Sequence, residues 1–212
     1  MLFASDKELI QHLKGIASLN NGGIVIENSD RLITHSIDAL VENSVLNPSN
    51  QIRGLSRFII KSAAIEMGIV LSSIQGLYDA RGRGECEGFT VPAINIRGMS
   101  YDFSRSIFRT AQKLDTGAFI FEIARSEIGY TFQQPHEIVG VILGAAIREN
   151  HSGPVFIQGD HFQVNAKNFK INKEKEVSNL KNLIKKGIEA GFYNIDIDTS
   201  TLVDLSKSTV VE

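Results

Sequence analysis

Asp160 and His161 form the pair of adjacent residues in this sequence best suited to chemistry. They follow the apolar residues 155–157, at the point where a buried strand would end. Catalytic and ligand-binding groups of parallel α/β proteins lie at the carboxyl ends of their strands. A neutral imidazole binds a divalent metal ion, and a neighbouring carboxylate transfers a proton. The pair therefore predicts a metal ligand, His161, beside a proton-transfer residue, Asp160. The alternatives are a histidine hydrogen-bonded into a loop and an aspartate that orients it or caps the next helix.

Polar residues also end the other strands that the sequence predicts. Because buried polar groups must be paired or used, four polar strand ends indicate one shared site. We expect Asn95 and Ser126 to bind substrate, although Asn95 could instead satisfy neighbouring backbone. Glu122 and Arg125 are expected to form an ion pair within this rim. Of the two aspartates near the last strand, we expect Asp198 to face the site as a metal ligand and Asp196 to pair with a basic group.

Two regions of the chain differ in their hydrophobic pattern, with the junction near residues 81–85. Residues 1–85 are mainly helical, with one short strand at 23–27. Residues 86–212 alternate apolar strands with amphipathic helices, which indicates βαβ units and a parallel sheet. The predicted strands are 90–96, 118–123, 154–158 and 193–197.

Four such units occupy about half the length of a typical eight-stranded barrel. The sequence therefore predicts an α/β fold, namely the first half of a (β/α)8 TIM barrel preceded by a helical N-terminal extension. A complete open sheet of four or five strands is the alternative.

Composition excludes several classes of protein. The 212 residues carry a net charge of −2 and 42% hydrophobic residues, so nothing favours binding to nucleic acid or to an anionic membrane. The single cysteine, Cys86, cannot build a disulfide framework, which indicates a reducing compartment. No secretory signal or membrane span is predicted, so we expect a cytoplasmic protein.

Three motifs in order resemble the class II, metal-dependent ketose-bisphosphate aldolases. Residues 88–95, Gly-Phe-Thr-Val-Pro-Ala-Ile-Asn, are similar to that family's first strand, and Gln158-Gly-Asp-His161 is similar to its His-x-Asp-His. Residues 190–200 resemble its fourth unit, with Asp198 and Ser200 in register. The chain departs from the family at Gln158, which replaces the first histidine, and in its long N-terminal extension.

The resemblance implies an aldehyde-lyase of carbohydrate metabolism that cleaves a phosphorylated ketose, such as fructose- or tagatose-bisphosphate, by a retro-aldol reaction. It implies Zn²⁺ or another divalent cation held by His161, proton transfer by Asp160, substrate placement by Asn95, and a homo-oligomer at full length. The family's other zinc ligands and phosphate loops belong to the second half of its barrel. We therefore expect these 212 residues to be a fragment that is inactive alone. A metal-dependent sugar-phosphate isomerase or epimerase and a non-catalytic barrel are the competing hypotheses.

Overall fold

The computed structural model describes residues 1–20, 22–203 and 206. The N-terminal region begins with helix α1, Asp6–His12, whose first turn is capped by Ser5: its hydroxyl accepts a hydrogen bond from Glu8 N at 3.3 Å. An antiparallel hairpin and three helical elements follow. They are β1 Ala17–Asn20, β2 Gly23–Ile26, α2 Ser29–Arg31, which runs through a π-helical segment Leu32–Ser36 into α3 Ile37–Leu46, and α4 Asn50–Glu66.

A parallel sheet forms the centre of the protein. Its strands are β3 Ile69–Ser72, β4 Ala93–Asn95, β5 Ile120–Ala124, β6 Gly153–Asp160 and β7 Asn194–Ile195. β4, β5, β6 and β7 are neighbours in chain order, and all pairs are parallel. β6 pairs with β5 along one edge. Along its other edge, β6 pairs with β3 over its first half and with β7 over its second half. The chain is therefore an α/β protein with a parallel sheet.

Helices connect the strands and cover the sheet. They are α5 Gln75–Gly82, α6 Ser100–Lys113, α7 Arg125–Thr131, α8 Pro135–Arg148, α9 Ala166–Ile171 and α10 Lys173–Ala190, followed by a 3₁₀ turn, Ser200–Leu202. No helix in the described part of the chain combines the length and apolar character needed to cross a bilayer.

Helix α8 is the central packing element. It is buried from Ile138 to Ile147 because its sequence is apolar on every side, and it packs against α3, α4, α6 and α10. Gly144 allows α3 to come close, since a Cβ at this position would overlap the side chain of Val41. One apolar core consequently runs from Phe3 in the N-terminal region to Phe192 before β7.

The prediction of an α/β fold with parallel strands is confirmed, and each of the four predicted strands after residue 86 is present with shifted bounds. Two strands were missed. β1 lies in the region that we expected to be mainly helical; helix α1 stops at His12, and Gly15 after it adopts a φ of 69°. β3 has four residues, too few for periodicity to separate a strand from a helix. β3 lies before the predicted junction near residue 85, yet it pairs with β6, which lies after it. The division of the chain at that junction stays a prediction.

Candidate metal centre

Three side chains with metal-binding atoms meet at the carboxyl ends of β6 and β7. One ligand atom from each of Asp160, His161 and Asp196 lies within 4.8 Å of the other two. His161 Nε2 is 3.8 Å from Asp160 Oδ1, and the side chains of His161 and Asp160 are 60% and 22% exposed. In the described part of the chain this is the one group of three or more such residues. The cluster is open to solvent on the histidine side.

Backbone hydrogen bonds hold the two segments of the cluster together. Asp196 N donates to Gly159 O at 2.8 Å, and Phe162 N donates to Asp196 O at 2.9 Å. His161 N donates to Asp196 Oδ2 at 3.3 Å. Asp196 is therefore fixed to the end of β6 from both sides, which places its carboxylate beside the imidazole of His161.

A tight turn after Asp160 directs the imidazole outward. His161 has a φ of 44°, in the left-handed region, where His, Asn and Asp occur more often than other non-glycine residues. The next residue, Phe162, turns back into the core and is fully buried. Its ring lies against Gly159, where an added Cβ would come within 2.8 Å of it. The glycine thus makes room for the ring that anchors the turn.

Asp196 and Asp198 do not divide their roles as the sequence analysis expected. The Asp196 carboxylate accepts the bond from His161 N rather than pairing with a basic group. Asp198 accepts hydrogen bonds from Ser200 N and Oγ and from Gln163 Nε2, and the bonds from Ser200 lower the pKa of its carboxyl. Residues two apart on a strand point to the same face, so spacing alone does not show which of Asp196 and Asp198 faces the site. Asp198 as a metal ligand stays a prediction.

Glu122 lies on β5 next to this cluster. Its Oε2 accepts a hydrogen bond from Gln158 Nε2 at 3.0 Å. Burial raises the pKa of the Glu122 carboxyl, and the negative charge of Asp160 raises it further. The expected ion pair of Glu122 with Arg125 is wrong, because the Arg125 guanidinium reaches Glu176 instead.

An ion pair between Arg125 and Glu176 connects the start of α7 to α10. Arg125 Nη1 lies 2.7 Å from Glu176 Oε1, and the same oxygen accepts a bond from Asn165 N. Glu176 is buried, and although burial opposes its ionisation, the bonds from Arg125 and Asn165 leave its pKa lowered. A long-range pair of this kind has no local signal in the sequence.

Asn95 and Ser126, the two predicted substrate-binding residues, lie in different surroundings. Asn95 Nδ2 donates to Glu127 Oε2 at 3.0 Å. Ser126 lines a cavity of about 410 Å³, together with Arg125, Gln163 and Asn165. None of the three cluster residues lines this cavity, but Gln163, which does, follows His161 by two residues and donates to Asp198.

Glu127 is a structural residue that the sequence analysis did not single out. Its carboxylate accepts hydrogen bonds from Ala124 N at 2.9 Å, from Asn95 and from Arg97, so it joins the end of β4 to the start of α7. Burial opposes its ionisation, but these donors leave its pKa lowered. An acidic residue three positions after a strand end is the signal that could have revealed it, since that position caps a helix start.

The donor set of the cluster fits a divalent cation. Imidazole nitrogen and carboxylate oxygen are both ligand atoms that Zn²⁺ accepts, and a catalytic zinc site keeps a position open to water or substrate. The exposure of His161 provides that open side. The cavity of about 830 Å³ between α3 and the loops before α6 and α8 is larger, but none of its lining residues belongs to β6, β7 or the turn that follows β6. We place the candidate site by its chemistry rather than by cavity size.

The fold and the cluster together define an α/β protein with a candidate metal centre at the carboxyl end of its parallel sheet. No protein-family model, curated protein or solved structure matches the chain.

Proposed function

We propose that this chain provides the metal- and proton-handling part of a lyase that cleaves a phosphorylated ketose by a retro-aldol reaction. The observation that carries the proposal is the convergence of Asp160, His161 and Asp196 within 4.8 Å at the carboxyl ends of adjacent strands. Two of these residues belong to the motif that resembles the class II aldolases. The single cysteine supports a cytoplasmic location for this enzyme.

The barrel that this proposal requires is supported by strand order. β4, β5, β6 and β7 are adjacent in the order of the chain, as the first four strands of a (β/α)8 barrel are. β3 is an addition to that pattern, on the same edge of β6 as β7. We propose that these four strands correspond to half of such a barrel.

Each residue of the cluster has a distinct role in the proposed reaction. His161 and Asp196 would hold the divalent ion, which supplies a Lewis acid for the ketose carbonyl when bound. Asp160 takes a proton from the hydroxyl next to the bond that breaks and returns it during condensation, as microscopic reversibility requires. Burial and the negative charge of Asp160 both raise the pKa of Glu122, so ionisation of Glu122 is less favoured beside Asp160 than it would be in water.

The cavity of about 410 Å³ is the proposed place for the rest of the substrate. It offers the Ser126 hydroxyl and the half-buried Arg125 guanidinium, groups that bind sugar hydroxyls and phosphate oxygens. Gln163 lines this cavity and follows His161 by two residues, which supports a ligand that extends from the cavity towards the cluster.

Ion binding is the first test, because it needs no substrate. Calorimetric titration of the chain with Zn²⁺ or Mn²⁺ should show one site that is weakened by at least about tenfold in His161→Asn and in Asp196→Asn. Asp115→Asn is a matched control, since Asp115 is exposed and has a similar positive φ of 51°. Equal binding in all four proteins would reject the metal centre.

Turnover is the second test, on full-length protein with fructose- or tagatose-bisphosphate, with and without a chelator. We expect triose phosphate to be released, and we expect Asp160→Asn to abolish release while the ion is retained. If an isomerised ketose forms instead of triose, the reaction is that of an isomerase. Unchanged turnover in Asp160→Asn would contradict its assigned role.

A further inference from the structure

A third cavity, away from the candidate metal centre, is lined by two cationic side chains, a histidine and a carboxylate. It has a volume of about 320 Å³ and lies between α4, the start of α8 and the end of α10. Arg57 and Lys61 reach it from α4, His136 from α8 and Glu189 from α10. It shares no residue with the Asp160, His161 and Asp196 cluster.

The donors of these side chains are incompletely used. Arg57 Nε is buried and has no hydrogen-bond partner among the described residues, and Arg57 Nη2 makes a long contact of 3.4 Å with Glu137 Oε2. Lys61 Nζ donates to Ala190 O at 3.3 Å, although an ammonium group has three hydrogens. Because Arg57 Nε has almost no accessible surface, an anion in the cavity would be bound by the Nη groups of Arg57 and by Lys61 Nζ.

The charges around the cavity favour an anion. Partial burial lowers the pKa of the His136 imidazole, and the positive charges of Arg57, Lys61 and Lys186 lower it further, against the opposing charge of Glu189. Burial also lowers the pKa of Arg57, against the charge of Glu137. The charges that act on His136 are therefore three cations, Arg57, Lys61 and Lys186, against one carboxylate, Glu189.

We propose that this cavity binds a phosphate-type dianion through Arg57, Lys61 and His136. A guanidinium binds two oxygens of such an anion at once, and an ammonium adds a compact charge. The volume of about 320 Å³ accommodates a phosphate group with a small organic substituent. Val139 and the Gly140 backbone form the uncharged wall against which a substituent would pack.

The test is calorimetric titration of the chain with inorganic phosphate and, separately, with glycerol phosphate, at pH 7 and low ionic strength. We expect one site, weakened by at least about tenfold in Arg57→Gln and in Lys61→Gln. Lys181→Gln is the control, because Lys181 is exposed on α10 and does not line the cavity. Tighter binding of glycerol phosphate would identify the natural ligand as a phosphate ester, and tighter binding of phosphate would identify the free ion.

An NMR titration of the histidines gives a readout that does not depend on folding stability. Phosphate should raise the pKa of His136, because a dianion stabilises the imidazolium, and the ring signals of exposed His35 should not move when phosphate is added at constant pH. Absence of phosphate binding by the unsubstituted chain, or an equal loss in Lys181→Gln, would overturn the proposal. Because none of Arg57, Lys61 and His136 belongs to the cluster of Asp160, His161 and Asp196, this result is independent of the metal-ion titration.

Discussion

The polar side chains near the carboxyl ends of the strands form a polar rim with two parts, and these two parts use carboxylates in opposite ways. Glu127 and Glu176 are buried, and each accepts several hydrogen bonds from backbone and cationic donors. Asp160 and Asp196 lie nearer the solvent and share an imidazole. A carboxylate surrounded by donors holds elements together, whereas one with free lone pairs remains available to a ligand. The surroundings of each carboxylate, and not its position at a strand end, therefore separate structure from function.

The largest effect is expected at the buried pair. Glu176→Gln leaves the Arg125 guanidinium without a counter-charge and should reduce the free energy of unfolding by about 2 to 3 kcal/mol. Urea unfolding measures this loss. Glu174→Gln is the control on the same helix turn, because Glu174 is exposed, and should change stability by less than about 0.5 kcal/mol. Equal losses in the two variants would remove the distinction between the two parts of the rim.

Glu127→Gln should have a smaller effect, about 1 to 2 kcal/mol. The amide still accepts the bond from Ala124 N, and the side chain of its charged partner, Arg97, is 54% exposed and keeps its hydration. The same unfolding measurement applies. A loss larger than that of Glu176→Gln would show that β4 depends on this carboxylate more than its contacts indicate.

The pH dependence of stability should differ in sign between Glu176 and Glu122, the residue beside Asp160. Because Glu176 has a lowered pKa in the folded protein, its stabilisation is full above the unfolded value of about 4.3 and is lost as pH falls through the folded pKa. The stability difference between the protein and Glu176→Gln should therefore shrink below about pH 4. Glu122 has a raised pKa in the folded protein, so its ionisation destabilises the folded state. The free energy of unfolding of Glu122→Gln should therefore exceed that of the unsubstituted chain by up to about 1 kcal/mol at pH 7 and equal it near pH 3. Unfolding curves between pH 3 and 8 test both directions.

The smallest effect is expected at the candidate metal centre when no ion is added. His161→Asn keeps a residue that tolerates the positive φ and should change stability by less than about 0.5 kcal/mol. Added Zn²⁺ should raise the thermal midpoint of the unsubstituted chain and have no such effect on this variant. A large loss of stability without any ion would show that the imidazole is a structural group.

Much of the fold was accessible from the sequence because its signals are local. The apolar runs at β5 and β6, the proline that begins α8 and the glycine that ends α10 each specify an element within a few residues. β3 was missed because its pairing with β6 joins residues far apart in the chain. Asp160 and His161 were identified from one motif. Asp196 and Glu176 were not assigned their partners, since these depend on how two loops and a helix meet after folding.

The left-handed turn at His161 has a consequence for how this site could change over generations. Asparagine, aspartate and glycine tolerate the same backbone, so a single codon change can replace the imidazole while the buried Phe162 keeps the turn in place. A β-branched residue at the same position would strain the chain. Affinity for a cation can therefore be gained, adjusted or lost at this position without rebuilding the scaffold around it.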